Sequence, residues 1–546
     1  MGCPKPTAVS PEAVVDDIVF WEEFADTSAS DTCRVVTARM AIASGMGRKL
    51  KGRRHIEFRF DPFPGTLAPF LGLNSQGTSG MHHRSLWQTC LIVAISVCFD
   101  SPSWAQRSDV AHHVVVVSID GFAAYLVDDP KVPLPTIRRL AREGCLVEGG
   151  MTVSDPSVTW PNHTTLVTGM RPGRHGVLAN GVLVRGGIGT PVTIDPHRDQ
   201  SDLVKVPTVV DVAHAAGLRT AEVNWPCTRN SKSLDDQFPD VPDAVAYTTP
   251  RLRTELIGKG LLKDETQASF RKASVVGLDY VWTEAACHII RERKPHLMLV
   301  HLLNNDATHH KRGAQSQEGY TANAYADMCL SRILDAIDDA GIRQQTTIVL
   351  VADHGFALTP KAIRPNVLLR QAGLLTVEDG KLTQAQVHVV PEGGIGLVYC
   401  TNPANAPKVA AEFKDRFIGQ EGVADVLLPD RFNEVGFPHP RDYEQVPDAV
   451  LVAQDGYAIS GSVTGDTLVA THEEARTSLG SHGLLAKHPQ MKAMCILSGA
   501  GIRPGIRLPT VENTAIAPTI AKLLNLELPN TDAKPLLEAM RTSAAQ

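Results

Sequence analysis

The sequence predicts an α/β protein built on a mainly parallel central sheet with helices on both faces. One indication is the four-valine run in HHVVVVSID, residues 112–120, which is typical of a parallel strand buried on both sides. Another is the repeated alternation of apolar strands with amphipathic helices from residue 112 onward. This alternation favours one parallel sheet, because parallel strands need a crossover helix between them.

The predicted elements follow one another in chain order. LPTIRRLAREG at 134–144 is a helix with a proline near its start and a glycine at its end. Helix–strand units then repeat as TVVDVAHAAG–LRTAEVNWP, YVWTEAACHIIRERK–PHLMLVHLL and YADMCLSRILDAIDDAG–TTIVLVADHG. The strand KAMCILSGAG and the helix TAIAPTIAKLLNL complete the pattern. We therefore expect one sheet assembled from distant parts of the chain.

The pattern loosens between about 360 and 475. Short strand candidates, HVVPEGGIGLVYC and DAVLVAQDGYAISG, alternate there with Pro, Asp and Gly turns and with one helix, KVAAEFKDRF. We interpret this stretch as a smaller inserted α+β subdomain that packs beside the active face.

Composition narrows the class of partner. The chain has 546 residues, enough for one large domain or two ordinary ones, with 43% hydrophobic and 21% charged residues. Its net charge of −6 argues against a general affinity for nucleic-acid polymers or anionic membranes. Six cysteines follow Ala105, and none form the close pairs that bind zinc through thiolates. The partner should be a small or locally held substrate.

The first 105 residues differ from the rest. A short cationic start at Met81, an apolar run over 86–99 and small residues at Ser103 and Ala105 predict a signal peptide over 81–105. A buried helix or hairpin is the alternative. We expect 1–80 to be an upstream extension without its own fold and 106–546 to be the catalytic domain. The signal peptide predicts export to the periplasm or beyond the cell, and no other segment is apolar enough for a stable membrane span.

Seven polar residues combine into a candidate two-metal site with a threonine. Most of them lie where a predicted strand or turn ends, where open α/β sheets gather their functional groups. Each has an ordinary explanation when taken alone, such as an Asp-Gly turn, a helix cap or a surface histidine. Carboxylate and imidazole side chains in this number suit two zinc-like ions. The residues are Asp120, Thr159, Asp306, His310, Asp353, His354 and His482.

Spacing supports the pairing of some of these ligands. Asp306 and His310 are four residues apart, so a helix would place them on one face. His309 is the competing imidazole. Asp353 and His354 are adjacent, so in extended structure they point in opposite directions and can serve neighbouring ions.

Thr159 is expected at or beside the N-cap of a helix, since Trp160-Pro161 and a helical stretch follow it. There, amide hydrogens and the helix dipole would stabilise phosphate oxygens. A threonine hydroxyl attacks poorly unless a base or a metal removes its proton. Asn180, in RHGVLAN, is a candidate donor to a phosphoryl oxygen.

The same motifs resemble the alkaline phosphatase superfamily, and more closely its nucleotide pyrophosphatase/phosphodiesterase branch. The resemblance covers about 112–535 and includes SIDGF, TWPNHTTLVTGMRPGRHGVLAN, NWP, NDATHH, VADHGF, GSHG and APTIAKLLNLELP. It implies an alkaline-phosphatase-like fold. It also implies two divalent metal ions, expected to be Zn²⁺, held by two sets of ligands. One set is Asp120, Thr159, Asp353 and His354, and the other is Asp306, His310 and His482.

The resemblance further implies that Thr159 is the nucleophile and that Asn180 contacts a phosphoryl oxygen. Trp160, after the nucleophile, and His301, five residues before Asp306, take the positions where the branch has aromatic side chains near a nucleotide base. His301 departs from the frequent tyrosine, so stacking on a base should be weaker.

The predicted function is therefore that of an exported two-metal phosphodiesterase or nucleotide pyrophosphatase acting through a phosphothreonine intermediate. Its substrate would be a small phosphate ester, possibly a nucleotide. A phosphomonoesterase or a phosphonoacetate-type phosphonate hydrolase is the alternative, because both chemistries use the same residues. A non-catalytic binding protein of the same fold is the third reading, although it would be expected to have lost a ligand or the nucleophile.

Overall fold

The central sheet has eight strands, and all but one run in the same direction. The computed structural model describes residues 113–541, apart from 265, 267–269 and 271, so the predictions for 1–80 and 81–105 lie outside the described residues. The strands are β1 (His113–Ile119), β2 (Cys145–Val147), β3 (Thr220–Pro226), β4 (Asp236–Asp240), β5 (Leu297–Leu302), β6 (Thr346–Val351), β7 (Cys495–Gly499) and β8 (Ile506–Leu508).

The strand order is β8-β2-β7-β6-β1-β5-β3-β4. β1 lies between β5 and β6, and Val116 is in register with Leu299 and Val349. Only β7 is antiparallel to its neighbours. All seven residues of β1 are buried, as the valine run predicts for a strand covered on both faces. The carboxyl ends of β6, β1 and β5 therefore meet at one edge.

Helices pack in two groups around this sheet. The first group is α1 (Pro135–Glu143), α4 (Val275–Arg293) and α6 (Gln317–Asp339), in which α6 contacts both of the others. The second is α2 (Thr159–Thr168), α3 (Val209–Ala215) and α7 (Ile516–Leu523). Helix α5 (Asn304–Arg312) follows β5 directly and packs on α4 and α6. The predicted α/β class with a mainly parallel sheet is confirmed.

Smaller elements of the described chain complete the first part of the fold. The short helices are Pro172–His175, Gln200–Leu203, Ala244–Tyr247 and Pro250–Gly258. The short strands pair as Val182–Val184 with Thr193–Asp195, and as Met151–Thr152 with Val511–Glu512.

The insert, running from the strand Lys361–Ile363 to the helix His472–Ala475, has its own sheets. Its main sheet is antiparallel, with strands in the order Val387–Glu392, Ile395–Cys400, Ala449–Ala453 and Val423–Leu427. Lys361–Ile363 pairs with Tyr457–Ile459 and Val469–Thr471, while Leu375–Glu378 and Lys381–Ala385 form a hairpin. Its longer helices are Pro365–Gln371 and Ala406–Phe417. The expected mixture of strands and helices is present.

The two faces of the insert's main sheet have different partners. One face buries Phe413 and Phe417 of the helix Ala406–Phe417. The other shares a buried cluster with Leu178 and Leu183, which lie next to Asn180 in the first part of the chain. Leu183 N–H also donates to Gln445 Oε1 at 2.8 Å. The insert thus contacts the segment that carries Asn180.

Among the described residues, none of the helices combines the length and apolarity needed to span a bilayer.

Candidate two-metal active site

The candidate ligands converge at the carboxyl edge of the sheet. Asp120 follows β1, Asp353 lies two residues after β6, and α5 begins two residues after β5. Because these three strands are adjacent, side chains more than 180 positions apart in sequence become neighbours. They form two groups, cluster 1 (Asp120, Asp353, His354) and cluster 2 (Asp306, His310, His482). Within each group, the possible ligand atoms lie within 4.8 Å of one another.

Cluster 1 is fully enclosed. His354 Nε2 lies 3.4 Å from Asp120 Oδ1 and 3.2 Å from Asp353 Oδ2. All three side chains have no exposed surface. The second carboxylate oxygen of Asp353 accepts the Gly121 N–H at 3.1 Å. Gly121 has φ +65, and a Cβ there would lie 2.9 Å from the Phe356 ring, so the turn after β1 requires glycine.

Cluster 2 is more open. His310 Nε2 lies 3.4 Å from Asp306 Oδ1, and His482 Nε2 lies 3.8 Å from the same atom. The His310 side chain is 27% exposed. Asp306 and His310 share one face of α5, as their spacing predicts, whereas His309 is buried against Phe356 and belongs to neither cluster. The rings of His354 and His482 stack at 3.8 Å and join the two clusters.

The three candidate histidine ligands each direct Nδ1 towards a backbone carbonyl. Their Nδ1 atoms lie 3.0 Å from Gly355 O, 2.9 Å from Gly480 O and 3.2 Å from Ser157 O, for His354, His310 and His482 respectively. A carbonyl can only accept, so Nδ1 carries the proton and donates. Nε2 then presents a lone pair to the carboxylates, which is the tautomer that binds a metal ion.

The charges of the clusters fit cations. Burial raises the pKa of Asp120 well above its ordinary value, and the nearby carboxylates of Asp353 and Asp306 raise it further. Burial also lowers the pKa of His482 well below its ordinary value, with His354 and His310 adding to the effect. Several buried atoms that face the clusters lack hydrogen-bond partners, namely Asp120 Oδ1, Asp306 Oδ1, Asp353 Oδ2 and His354 Nε2. Divalent cations would satisfy all of these atoms.

Thr159 is the first residue of α2, and the backbone of its segment contacts residues near both clusters. Its carbonyl lies 3.0 Å from His163 Nδ1, and that nitrogen is 3.6 Å from Asp353 Oδ2. Two residues earlier, Ser157 O accepts hydrogen bonds from His482 Nδ1 and from Gly483 N–H, the latter at 3.1 Å. The backbone at 157–159 thus contacts His163, which lies beside Asp353, and the loop that carries His482.

The buried side-chain amide of Asn162 holds the loop before Thr159 through hydrogen bonds to its backbone. Asn162 Nδ2 donates to the carbonyls of Ser154, Pro156 and Val158 at 3.2, 3.0 and 3.0 Å. Its Oδ1 accepts Ser154 N–H at 2.8 Å. Asn162 lies within the quoted threonine motif, but these contacts depend on the folded path of the loop.

The helix N-terminus contributes fewer amide donors than expected. Trp160 N–H donates to Asn180 Oδ1 at 2.9 Å, Pro161 has no N–H, and Asn162 N–H donates to Val158 O at 3.2 Å. The N–H groups of Trp160 and Asn162 are therefore not among the amides available to a phosphate. The contact with Trp160 instead uses the oxygen of Asn180, so that the NH₂ group is the donor left for a ligand.

The two predicted substrate contacts are largely covered. His301 is fully buried in β5, with Nε2 3.0 Å from Asp120 Oδ2 and Nδ1 2.8 Å from Asn224 O. It lies behind Asp120 and offers no surface to a substrate. Trp160 is 6% exposed, and its Nε1–H donates to Asp240 Oδ2 at 3.2 Å. Only a small part of this ring can meet a ligand.

His163 is a residue that the motif analysis missed. It is fully buried beside Asp353, and burial lowers its pKa to about 3. Its ring lies 4.3 Å from that of His301. The available signal was its position four residues after Thr159, which places it on the same face of α2.

Comparison with known proteins gives a consistent relationship. Residues 114–485 match the family described as type I phosphodiesterase/nucleotide pyrophosphatase. Human ectonucleotide pyrophosphatase/phosphodiesterase family member 1 is 21% identical over 418 residues, covering 76% of this chain and 40% of that protein. The Saccharomyces cerevisiae ectonucleotide pyrophosphatase/phosphodiesterase 1 is 25% identical over 435 residues, covering 74% and 55%. This chain therefore spans about half or less of the length of these relatives.

Solved structures share the fold. An inactive variant of murine ectonucleotide pyrophosphatase/phosphodiesterase 5 in complex with AMP has a TM-score of 0.59 at 17% identity, covering 79% of this chain and all of that one. The human protein of the same name has a TM-score of 0.58 at 16% identity. Both agree with the predicted alkaline-phosphatase-like fold. Since the family match extends over most of the described residues, the chain belongs to the type I phosphodiesterase/nucleotide pyrophosphatase family.

Proposed function

We propose that this chain is an exported, two-metal phosphodiesterase of the nucleotide pyrophosphatase type, with Thr159 as its nucleophile. The observation that carries the proposal is the pair of three-ligand clusters joined by the stacked His354 and His482 rings. Family membership and the names of the relatives support the hydrolase class. Export rests on the signal-like segment 81–105 and agrees with the prefix "ecto" in those names.

Cluster 1 and cluster 2 would each hold one divalent cation, with Thr159 Oγ as a further ligand at cluster 1. Carboxylate and imidazole donors of this kind suit zinc. When bound, the two ions supply Lewis-acid polarisation of the phosphoryl group and charge neutralisation for the attacking and departing oxygens.

Thr159 and Asn180 have separate roles in the proposed reaction. Deprotonated Thr159 Oγ attacks phosphorus, the bond from phosphorus to the leaving-group oxygen breaks, and a phosphothreonine ester forms. Water attacks the same phosphorus in the next step, and Thr159 Oγ departs. The NH₂ group of Asn180 donates to a non-bridging phosphoryl oxygen while charge builds up there.

The substrate is a small phosphate ester, and the covered face of Trp160 limits how much of a nucleotide base could stack there. The murine relative in complex with AMP makes nucleotides the first compounds to test. His301 acts in this proposal as a positioning residue for Asp120, because it is buried behind that carboxylate.

Replacing the nucleophile tests the proposal. Thr159→Ala should lower kcat on bis-p-nitrophenyl phosphate by about three orders of magnitude or more, since the hydroxyl proposed to form the ester is lost. Thr159→Ser, which keeps a hydroxyl, is the matched control and should retain part of the activity. The thermal unfolding of both variants should match the parent, which separates catalysis from folding.

A substrate panel tests the reaction class. Protein made from Met81 should hydrolyse bis-p-nitrophenyl phosphate faster than p-nitrophenyl phosphate or phosphonoacetate. Preference for either of the last two would replace the diesterase proposal by a phosphomonoesterase or a phosphonate hydrolase. Full turnover by Thr159→Ala would rule out the covalent route for all three.

A further inference from the structure

We propose that Asp279 is a positioning residue that fixes cluster 2 by capping the helix from which two of its ligands project. The inference rests on the proposed two-metal site. It concerns a carboxylate on α4, a helix that contributes no ligand to either cluster among the described residues.

Helix α5 has no cap of its own. Leu303 stands at its N-cap, and no side chain of the N-cap residue accepts from the first turn. Asp279 Oδ1 instead accepts Leu303 N–H at 2.8 Å, and Asp279 Oδ2 accepts Asn304 N–H at 3.1 Å. Asp279 is fully buried, so water does not replace these bonds. A distant carboxyl group therefore does the work of a local cap, because its two oxygens accept the N–H groups at the start of the helix.

The position of this cap affects cluster 2 because two of its candidate ligands lie in the first turns of α5. Asp306 lies two residues after Asn304, and His310 lies one further turn along the same face. The cap thus fixes where α5 begins, and the beginning fixes how far both ligands reach towards His482. The carboxylates of cluster 1, in contrast, follow the strands β1 and β6.

The chain contains a matched control for this arrangement. Asp327, on α6, is also a buried carboxylate that caps a distant helix, accepting Thr136 N–H at 3.1 Å and Ile137 N–H at 2.7 Å. The helix it caps, α1, carries no candidate ligand. Each of the two residues accepts two backbone N–H groups at the start of a distant helix, but only the helix capped by Asp279 carries candidate ligands.

The experiment measures zinc binding directly. The parent protein, Asp279→Ala and Asp327→Ala are loaded with Zn²⁺ and titrated with a chromogenic chelator, which gives the number of ions and the affinity of each. The parent should hold two ions. In Asp279→Ala the ion at cluster 2 should bind about 10- to 100-fold more weakly, which is the usual range when a group that orients a metal ligand is lost. The affinity of the ion at cluster 1 should not change. Asp327→Ala should bind both ions like the parent.

Two further variants make the result unambiguous. Asp279→Asn keeps one acceptor oxygen and should give an intermediate loss, which covers the case in which Asp279→Ala fails to fold. In a His310→Ala background, where cluster 2 is already broken, adding Asp279→Ala should leave the affinity of the remaining ion unchanged. The inference would be overturned if Asp279→Ala lowered the Zn²⁺ affinity of both clusters equally or of neither. It would also be overturned if Asp327→Ala lowered the affinity of cluster 2 by the same factor. A parent protein that binds no Zn²⁺ would overturn the two-metal proposal and this inference together.

Discussion

The two clusters of candidate metal ligands are built from different kinds of structure. Asp120 and Asp353 of cluster 1 follow neighbouring strands of the central sheet and have no exposed surface. Cluster 2 depends on a short helix and on a loop that brings in His482, and its His310 side chain is 27% exposed. Strand ends are fixed by the sheet register, whereas a helix and a loop need separate contacts to hold them.

For cluster 2 these contacts come from three directions. Asp279 holds the start of α5, and Gly480 O receives a hydrogen bond from His310 Nδ1. The turn at Gly393 and Gly394 of the insert packs on the His482 loop, where Gly394 N–H donates to His482 O at 2.9 Å. The carboxylates of cluster 1 are thus positioned by the strands of the central sheet, whereas cluster 2 is positioned by contacts from distant parts of the chain.

The largest expected effect follows from the difference in exposure. His354→Gly and His310→Gly should each lower activity by about 100-fold or more, because a metal ligand is lost. Added imidazole should restore activity to His310→Gly by about 10-fold, since that position opens to solvent, but not to the enclosed His354→Gly. The measurement is kcat/KM with and without imidazole. Equal rescue of both variants would remove the distinction between an enclosed and an open cluster.

The next effect comes from the crowded charges of cluster 1. Burial and the charges of Asp353 and Asp306 make an ionised Asp120 unfavourable in the metal-free protein. Asp120→Asn should therefore raise the free energy of unfolding in the presence of a chelator by on the order of 1–3 kcal/mol. With saturating Zn²⁺ the same substitution should lower it, because a ligand is missing.

Denaturant unfolding under the two conditions measures this change of sign. Asp306→Asn serves as the comparison, since Asp306 is less enclosed than Asp120. Its effect in chelator should be smaller. If Asp120→Asn destabilised the metal-free protein, the repulsion assigned to cluster 1 would be wrong.

The smallest effect concerns the insert. A Cβ at Gly394 would lie 2.7 Å from Leu484 Cα, so Gly394→Ala should shift the loop that carries His482. We expect the ion at cluster 2 to bind up to about 10-fold more weakly and the other ion to be unaffected. Gly258→Ala, where a Cβ meets nothing within 4 Å, is the control. Zinc affinity measured by chelator competition would show a change at both ions if the insert supported the whole site.

Much of the fold could be predicted from the sequence, because buried strands have a strong signature. The valine run of β1 and the apolar strand before Asp353 mark two neighbours in the sheet, and their ends mark cluster 1. The spacing of Asp306 and His310 indicated one helical face, which the structure shows. These features depend on local pattern, which a single sequence contains.

The remaining features depend on contacts between distant residues. Nothing near Asp279 in the sequence indicates that it caps a helix 24 residues away. His301 was expected to meet a substrate, but the depth of β5 in the sheet places it behind Asp120. Similarly, two N–H groups of α2 that could have faced a phosphate already have acceptors. Trp160 N–H donates to the side-chain oxygen of Asn180, and Asn162 N–H donates to the carbonyl of Val158. Spacing alone could not predict these outcomes.

Anomalous diffraction from crystals grown with zinc tests the central claim most directly. Data collected on either side of the zinc absorption edge should show two peaks. One should lie within bonding distance of Asp120, Asp353 and His354, and the other within bonding distance of Asp306, His310 and His482. Absence of a peak at either cluster, in crystals where zinc is present, would contradict the two-metal account.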